Sequence, residues 1–163
     1  MSIERVLERI MKMDDRTWQR HANPWSGWTR MTVLPLFALA IWSRVWIGPW
    51  SLALIGLCLV WVWLNPRAFR KPTHLKSWMS QGVLGERIWL ARKTTPVPKH
   101  HRVLPNVLNI AGLPFVVLLG TGLYQLQVGL TVTSLLFLVI LKLWFLDRMV
   151  WLFRDGQAET GAQ

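Results

Sequence analysis

Two long stretches of this sequence carry almost no charge, and they constrain the fold more than any other feature. From Met31 to Pro66 the only charged residue is Arg44, and from Val103 to Leu141 there is none. The stretches run to 36 and 39 residues. A chain of 163 residues has room for one compact domain, and a soluble core of that size cannot bury both. Composition agrees, with 52% of residues hydrophobic and 17% charged, against about 25% charged in ordinary soluble domains. A soluble enzyme domain is excluded on these grounds. The chain reads as an all-α, polytopic membrane protein.

A membrane-crossing helix takes about 20 mostly apolar residues, so each stretch fits two short spans. Gly48-Pro49 supplies the break in the first, because proline cannot continue a helix and glycine tolerates a turn. The spacing predicts spans over Met31–Ile47 and Trp50–Leu64. In the second stretch Gln125–Gly129 is the most polar part and the expected break, which leaves spans over Leu104–Tyr124 and Leu130–Phe145. Four transmembrane helices result, arranged as two hairpins within a single membrane domain spanning 1–163. Its parts are a cytoplasmic amphipathic segment (1–30), the first hairpin (31–64), a basic cytoplasmic segment (65–103), the second hairpin (104–146) and a cytoplasmic tail (147–163).

Charge bias sets the orientation. Met1–Arg30 carries six Lys and Arg, Asn65–Arg102 nine and Lys142–Gln163 three, while the two hairpin tips carry none. Loops rich in Lys and Arg stay in the cytoplasm, so both termini and the central segment face inward from a cell (inner) membrane. Arg44 alone dissents, and its expected role is to snorkel to the outer interface between Trp42 and Trp46. The 12 tryptophans gather where interfaces are expected, as indole rings do at headgroup level. Met1–Arg20 lacks the apolar stretch of a cleavable leader. Cys58 is the lone cysteine and has no partner for an internal disulfide.

The inward segments carry the chemistry. Ile3, Val6, Leu7 and Ile10 fall at helical spacing opposite Glu4, Arg5, Glu8 and Arg9, the pattern of an amphipathic surface helix. Asp14 or Asp15 then caps a short helix running through Arg20. In the central segment, Asn65-Pro66-Arg67 reads as a turn at the membrane exit. A second interfacial helix is expected around Lys76–Lys93, bent at Gly82 and Gly85. Each half shows an inward segment, a proline-containing turn and a hairpin, with His21-Ala22-Asn23-Pro24 matched by His101 to Pro105-Asn106.

His21-Ala22-Asn23-Pro24-Trp25-Ser26-Gly27-Trp28-Thr29-Arg30, together with Asn65-Pro66-Arg67 and Gly85-Glu86-Arg87-Ile88-Trp89-Leu90, resembles a family of small prokaryotic integral membrane proteins of unknown function. The resemblance covers nearly the whole chain. It implies a membrane protein and supplies no activity or catalytic residue.

All four histidines (His21, His74, His100 and His101) fall on the cytoplasmic side. No spacing among them suits a metal, and adjacent His100 and His101 point in different directions on helix or strand. No metal site and no cofactor is therefore assigned. The better candidates are guanidinium groups at the membrane boundary, which pair bidentately with phosphate or carboxylate. The predicted ligand-binding layer is His21, Asn23, Trp25, Arg30, Asn65, Arg67, Glu86, Arg87, His101 and Arg102. Glu86-Arg87 is expected to form an internal ion pair, and Asp147 to tie to an arginine of the central segment.

The expected function is a non-enzymatic module that binds an anionic lipid headgroup or similar ligand at its cytoplasmic face. The alternatives are a small lipid-acting membrane enzyme using Glu86 or a histidine as acid/base, or a subunit of a larger membrane complex. Expected partners are the bilayer and its anionic lipids, with a membrane-protein partner or a homo-oligomer as further options. No nucleic-acid module is present.

Overall fold

The computed structural model describes residues 15–92 and 97–161; the amphipathic pattern of Ile3–Ile10 lies outside them. Among the described residues the chain is helical and contains no strand. Helix α1 covers Asp15–His21, α2 Pro24–Met31, α3 Val33–Trp42 and α4 Arg44–Ile47; after a single 3-10 turn at Gly48–Trp50 come α5 (Ser51–Ala68), α6 (Trp78–Leu90), α7 (His100–Gln125) and α8 (Val128–Gly161).

Three helical stretches are long and apolar enough to cross a membrane: Pro24–Ala68, His100–Gln125 and Val128–Ala158. Their outward surfaces are greasy. Leu113, Val117 and Leu136 are among many large apolar side chains left uncovered by protein, as expected where lipid is the solvent. The first stretch is not one rod. Gly48 takes φ +53°, a conformation that glycine adopts without steric cost, and α5 packs back against α3. The second break falls at Leu126–Gln127, inside the expected window. Leu126, not the nearby Gly129, holds the left-handed conformation (φ 57°), and the Gln127 amide donates to the Gly122 carbonyl.

Several expectations need correction. Asn65-Pro66-Arg67 is no turn: α5 runs through it to Ala68. Proline forfeits one backbone hydrogen bond in a helix interior, yet Pro66 is fully buried beside Asn65, and the helix ends two residues later at Ala68. Likewise Pro105-Asn106 lies inside α7 and not in a turn. The tail beyond Phe145 continues α8 to Gly161 and serves as a support. Helix α6 packs along this extension, so it is covered by protein and not laid on a lipid surface alone. Helix α6 runs unbroken through Gly82 and Gly85. They let it approach α8, with the Gly85 Cα against the Met149 backbone.

Most of the core sits in the layer where α6 packs along α8. Trp89, Val97, Leu108, Phe145, Met149 and Leu152 cluster on one side of α6, and Trp18, Ala22, Met79, Val83 and Leu146 on the other. A smaller cluster of Ala38, Leu119 and Leu123 joins α3 to α7. Arg44 is half-buried and held at the end of a neighbouring helix. Its Nη2 donates to the Leu123 and Tyr124 carbonyls at the C-terminus of α7, where carbonyls have no helical partner.

Candidate functional site: a buried polar chain beneath a basic cavity

The turn between α1 and α2 is built by Asn23 and Pro24. The Asn23 side chain accepts the Trp25 amide at 3.0 Å, satisfying a free N–H of the helix start, and proline at the first helical position has no N–H to lose. Asn23 Nδ2 donates to the Arg70 carbonyl at 2.9 Å, and Arg20 Nε to the Phe69 carbonyl at 2.9 Å. These two bonds staple α1 to the chain leaving α5.

Beneath the staple runs a chain of buried polar groups. His21 Nδ1 and Ser26 Oγ lie 2.8 Å apart, Ser26 Oγ donates to Asn65 Oδ1 at 2.8 Å, and Asn65 Nδ2 donates to Thr29 Oγ1 at 2.8 Å. Thr29 Oγ1 in turn donates to the Trp25 carbonyl. At the other end, Arg30 Nη1 lies 3.3 Å from His21 Nε2. The ends fix every proton between them. Arginine can only donate, so His21 Nε2 accepts; the single hydroxyl proton of Ser26 goes to Asn65, so His21 Nδ1 must carry the hydrogen. His21 is therefore neutral. Burial, and next the Arg30 charge, push its pKa down from 6.5 to about 4.

Glu86 approaches the same region from α6. Burial works to raise its pKa and is the largest single influence, but Lys142 beside it, together with Arg30, outweighs burial and holds the carboxyl below its usual range. Its partner is Lys142 at 2.9 Å, not Arg87 as expected. On a helix, adjacent side chains diverge, whereas α8 brings Lys142 alongside. Asp147 does not reach an arginine of the central segment either; it pairs with its neighbour Arg148 and accepts from Trp78 Nε1 at 3.5 Å.

The structure thus gathers His21, Asn23, Trp25, Arg30 and Asn65 around one turn, with Glu86 nearby. It leaves four predicted residues elsewhere. Arg67 lies over the Trp63 ring of its own helix, 4.3 Å from the centroid. Arg87 belongs to α6, and Arg102 Nε donates to the Val97 carbonyl. His101 faces Asp155, its Nε2 2.8 Å from Oδ2, and the His100 ring leans onto the same carboxylate, 4.2 Å between ring centroids. The two rings therefore converge, contrary to the expectation from adjacency, because a third residue on another helix lies between them.

Residue-type reasoning at the membrane boundary missed a second feature. Arg16, Gln19, Arg20, Arg70 and Lys71 line an open cavity of about 370 Å³. Among the described residues no carboxylate is seen pairing with Arg16, Arg70 or Lys71. The spacing of Arg16, Gln19 and Arg20 at i, i+3 and i+4 was a readable signal for one helical face; their meeting with Arg70-Lys71 was not.

Apolar helices of spanning length, joined to a compact polar layer at one end, define an integral membrane protein. The chain belongs to the DUF6653 family, a family of unknown function whose model matches residues 2–163. No curated protein and no solved structure matches it.

Proposed function

We propose that this protein is a four-span, non-enzymatic membrane module whose cytoplasmic layer binds the phosphate of an anionic lipid headgroup. The carrying observation is the cavity where Arg16, Arg20, Arg70 and Lys71 converge. Guanidinium groups match phosphate geometry, and each cation near an anionic leaflet contributes roughly 1 kcal/mol. The cavity's volume falls in the range of small-ligand sites. Trp25 and Trp28, exposed at the same end of the first apolar stretch, suit an interfacial position.

The return of α5 along α3, with α7 and α8 packed together, favours four crossings in two hairpins, with both termini and the basic centre inside. Reporter fusions between Arg70 and Lys99 test that orientation: a cytoplasmic signal is expected, and an external one would overturn it.

The buried chain speaks for binding over catalysis. Ser26 is fully buried and its hydroxyl proton is engaged by Asn65, so it is not presented as a nucleophile. Glu86, held ionised by Lys142, lacks the raised pKa of a general acid. The polar chain instead fixes the turn after α1, whose bonds to Phe69 and Arg70 hold Arg16 and Arg20 beside Arg70 and Lys71.

The test is native mass spectrometry of protein extracted in mild detergent, followed by reconstitution in nanodiscs of phosphatidylglycerol or of phosphatidylcholine. Retained phosphatidylglycerol is expected with the parent and is expected to fall several-fold in an Arg70→Ala/Lys71→Ala double variant. Equal retention of both lipids, or no change in the variant, would overturn the proposal.

A further inference from the structure

Away from the basic cavity, His100 and His101 open α7 and Asp155 lies near the end of α8. His100 Nε2 is 3.8 Å and His101 Nε2 2.8 Å from the same carboxylate oxygen, Asp155 Oδ2. One ligand atom from each residue lies within 4.8 Å of the other two. From this geometry we infer that the three residues form a binding site for one divalent transition-metal ion of the zinc class, clamping the start of α7 to the cytoplasmic extension of α8.

The distances support coordination over a simple hydrogen bond. Zinc bonds to nitrogen and oxygen of about 2.0–2.2 Å in a tetrahedral arrangement put neighbouring ligand atoms roughly 3.3–3.5 Å apart. The two observed separations bracket that spacing. A hydrogen bond accounts for His101 at 2.8 Å but not for His100, whose nitrogen at 3.8 Å is beyond hydrogen-bond range. Both rings nonetheless turn toward one oxygen. A shared ion explains why an exposed ring, with 70% of its side-chain surface accessible, leans onto a residue 55 positions away instead of extending into water.

The donor set is two imidazoles and one carboxylate, ligands that suit Zn²⁺, Co²⁺ or Ni²⁺ better than Mg²⁺ or Ca²⁺, which demand oxygen. Three protein ligands leave a fourth position for water. His101 is anchored, with 7% of its side chain accessible, while His100 and Asp155 (47%) remain reachable from solvent. One ligand is thus preplaced and two can close on an arriving ion. No sequence spacing announces the site, because its third ligand comes from the far end of another helix.

Titration of tag-free, metal-stripped protein in detergent with Zn²⁺ and Co²⁺ tests the site. One ion per chain is expected by calorimetry, with visible absorption bands of four-coordinate cobalt and a rise in melting temperature. His100→Ala is the informative variant: its ring is exposed, so the metal-free fold should be unchanged, yet affinity should fall at least about tenfold. Asp155→Asn should weaken binding as strongly, and His74→Ala, in the loop before α6, should leave it intact. Absence of stoichiometric binding, or equal binding by the parent and His100→Ala, would overturn the inference.

Discussion

Gly85 lies directly against the backbone of Met149, and a Cβ added there would fall on the Met149 carbonyl oxygen. Helix α6 can reach α8 only because position 85 has no side chain. The contact seats the helix that carries Glu86, so a backbone detail of one glycine governs the geometry beside His21.

Gly85→Ala should therefore be among the most damaging small substitutions in the chain. Overpacking commonly costs about 1–3 kcal/mol, and a backbone atom cannot rotate away as a side chain can, which places this case at or above the upper end. Gly82→Ala, whose Cβ would meet the Leu146 carbonyl at 3.4 Å, should cost far less. Differential scanning fluorimetry in detergent checks the contrast; comparable melting temperatures for the two variants would contradict the packing argument.

Asn65 is fully buried and serves Ser26 and Thr29 at once. In Asn65→Ala the buried Ser26 hydroxyl loses its acceptor, at about 1–3 kcal/mol for the stranded group, while the partly buried Thr29 keeps its bond to the Trp25 carbonyl. Combining it with Ser26→Ala should be less damaging than the sum of the two, since the second change removes a group already stranded. A double-mutant cycle on chemical denaturation measures this, and strict additivity would count against a connected chain.

Acidification reports on His21. In the unfolded chain its ring takes up a proton near pH 6.5, whereas in the folded protein it does so only at about 4. Between those values the unfolded state binds a proton that the folded state refuses, so stability falls as pH drops from 6.5 toward 4 and this loss then levels off. Above pH 7 the ring contributes no pH dependence. The shift corresponds to roughly 3 kcal/mol at most. His21→Gln should flatten melting temperature against pH inside that window. The Glu86 contribution, present above the ordinary carboxylate pKa, is lost only at more acid values, and Glu86→Gln separates it.

Arg44 caps the carbonyls of Leu123 and Tyr124 from another helix. Hydrogen bonds to a charged donor contribute about 1.5–3 kcal/mol. Arg44→Leu should lower the melting temperature and expose the Leu126–Gln127 turn to added protease; Arg44→Lys should recover part of both, having the charge but not the planar fork. Unaltered cleavage in Arg44→Leu would indicate that the cap does not hold the turn.

The apolar stretches, their breaks near Gly48 and Leu126, and the helical character of the whole were legible in the residues, because chain length against bilayer thickness and the loss of backbone bonds at proline are local matters. The turn at His21-Ala22-Asn23-Pro24 was legible for the same reason: its cap and its proline act within a few positions. Asn65-Pro66-Arg67 was misread because proline also signals a turn, and only the burial of Asn65 against Ser26 shows why the helix continues.

What the linear order established by itself was where the apolar stretches of spanning length lie and where along the chain the positive charge gathers, since both are properties of consecutive residues. Which charged groups meet was decided by tertiary structure alone. Lys142 with Glu86, Asp155 between two histidines, and Arg70-Lys71 beside Arg16 and Arg20 are all pairings across helices. Electrostatic energy depends on distances of a few ångströms, and those distances are set by how closely helices can pack, down to the missing side chain of Gly85.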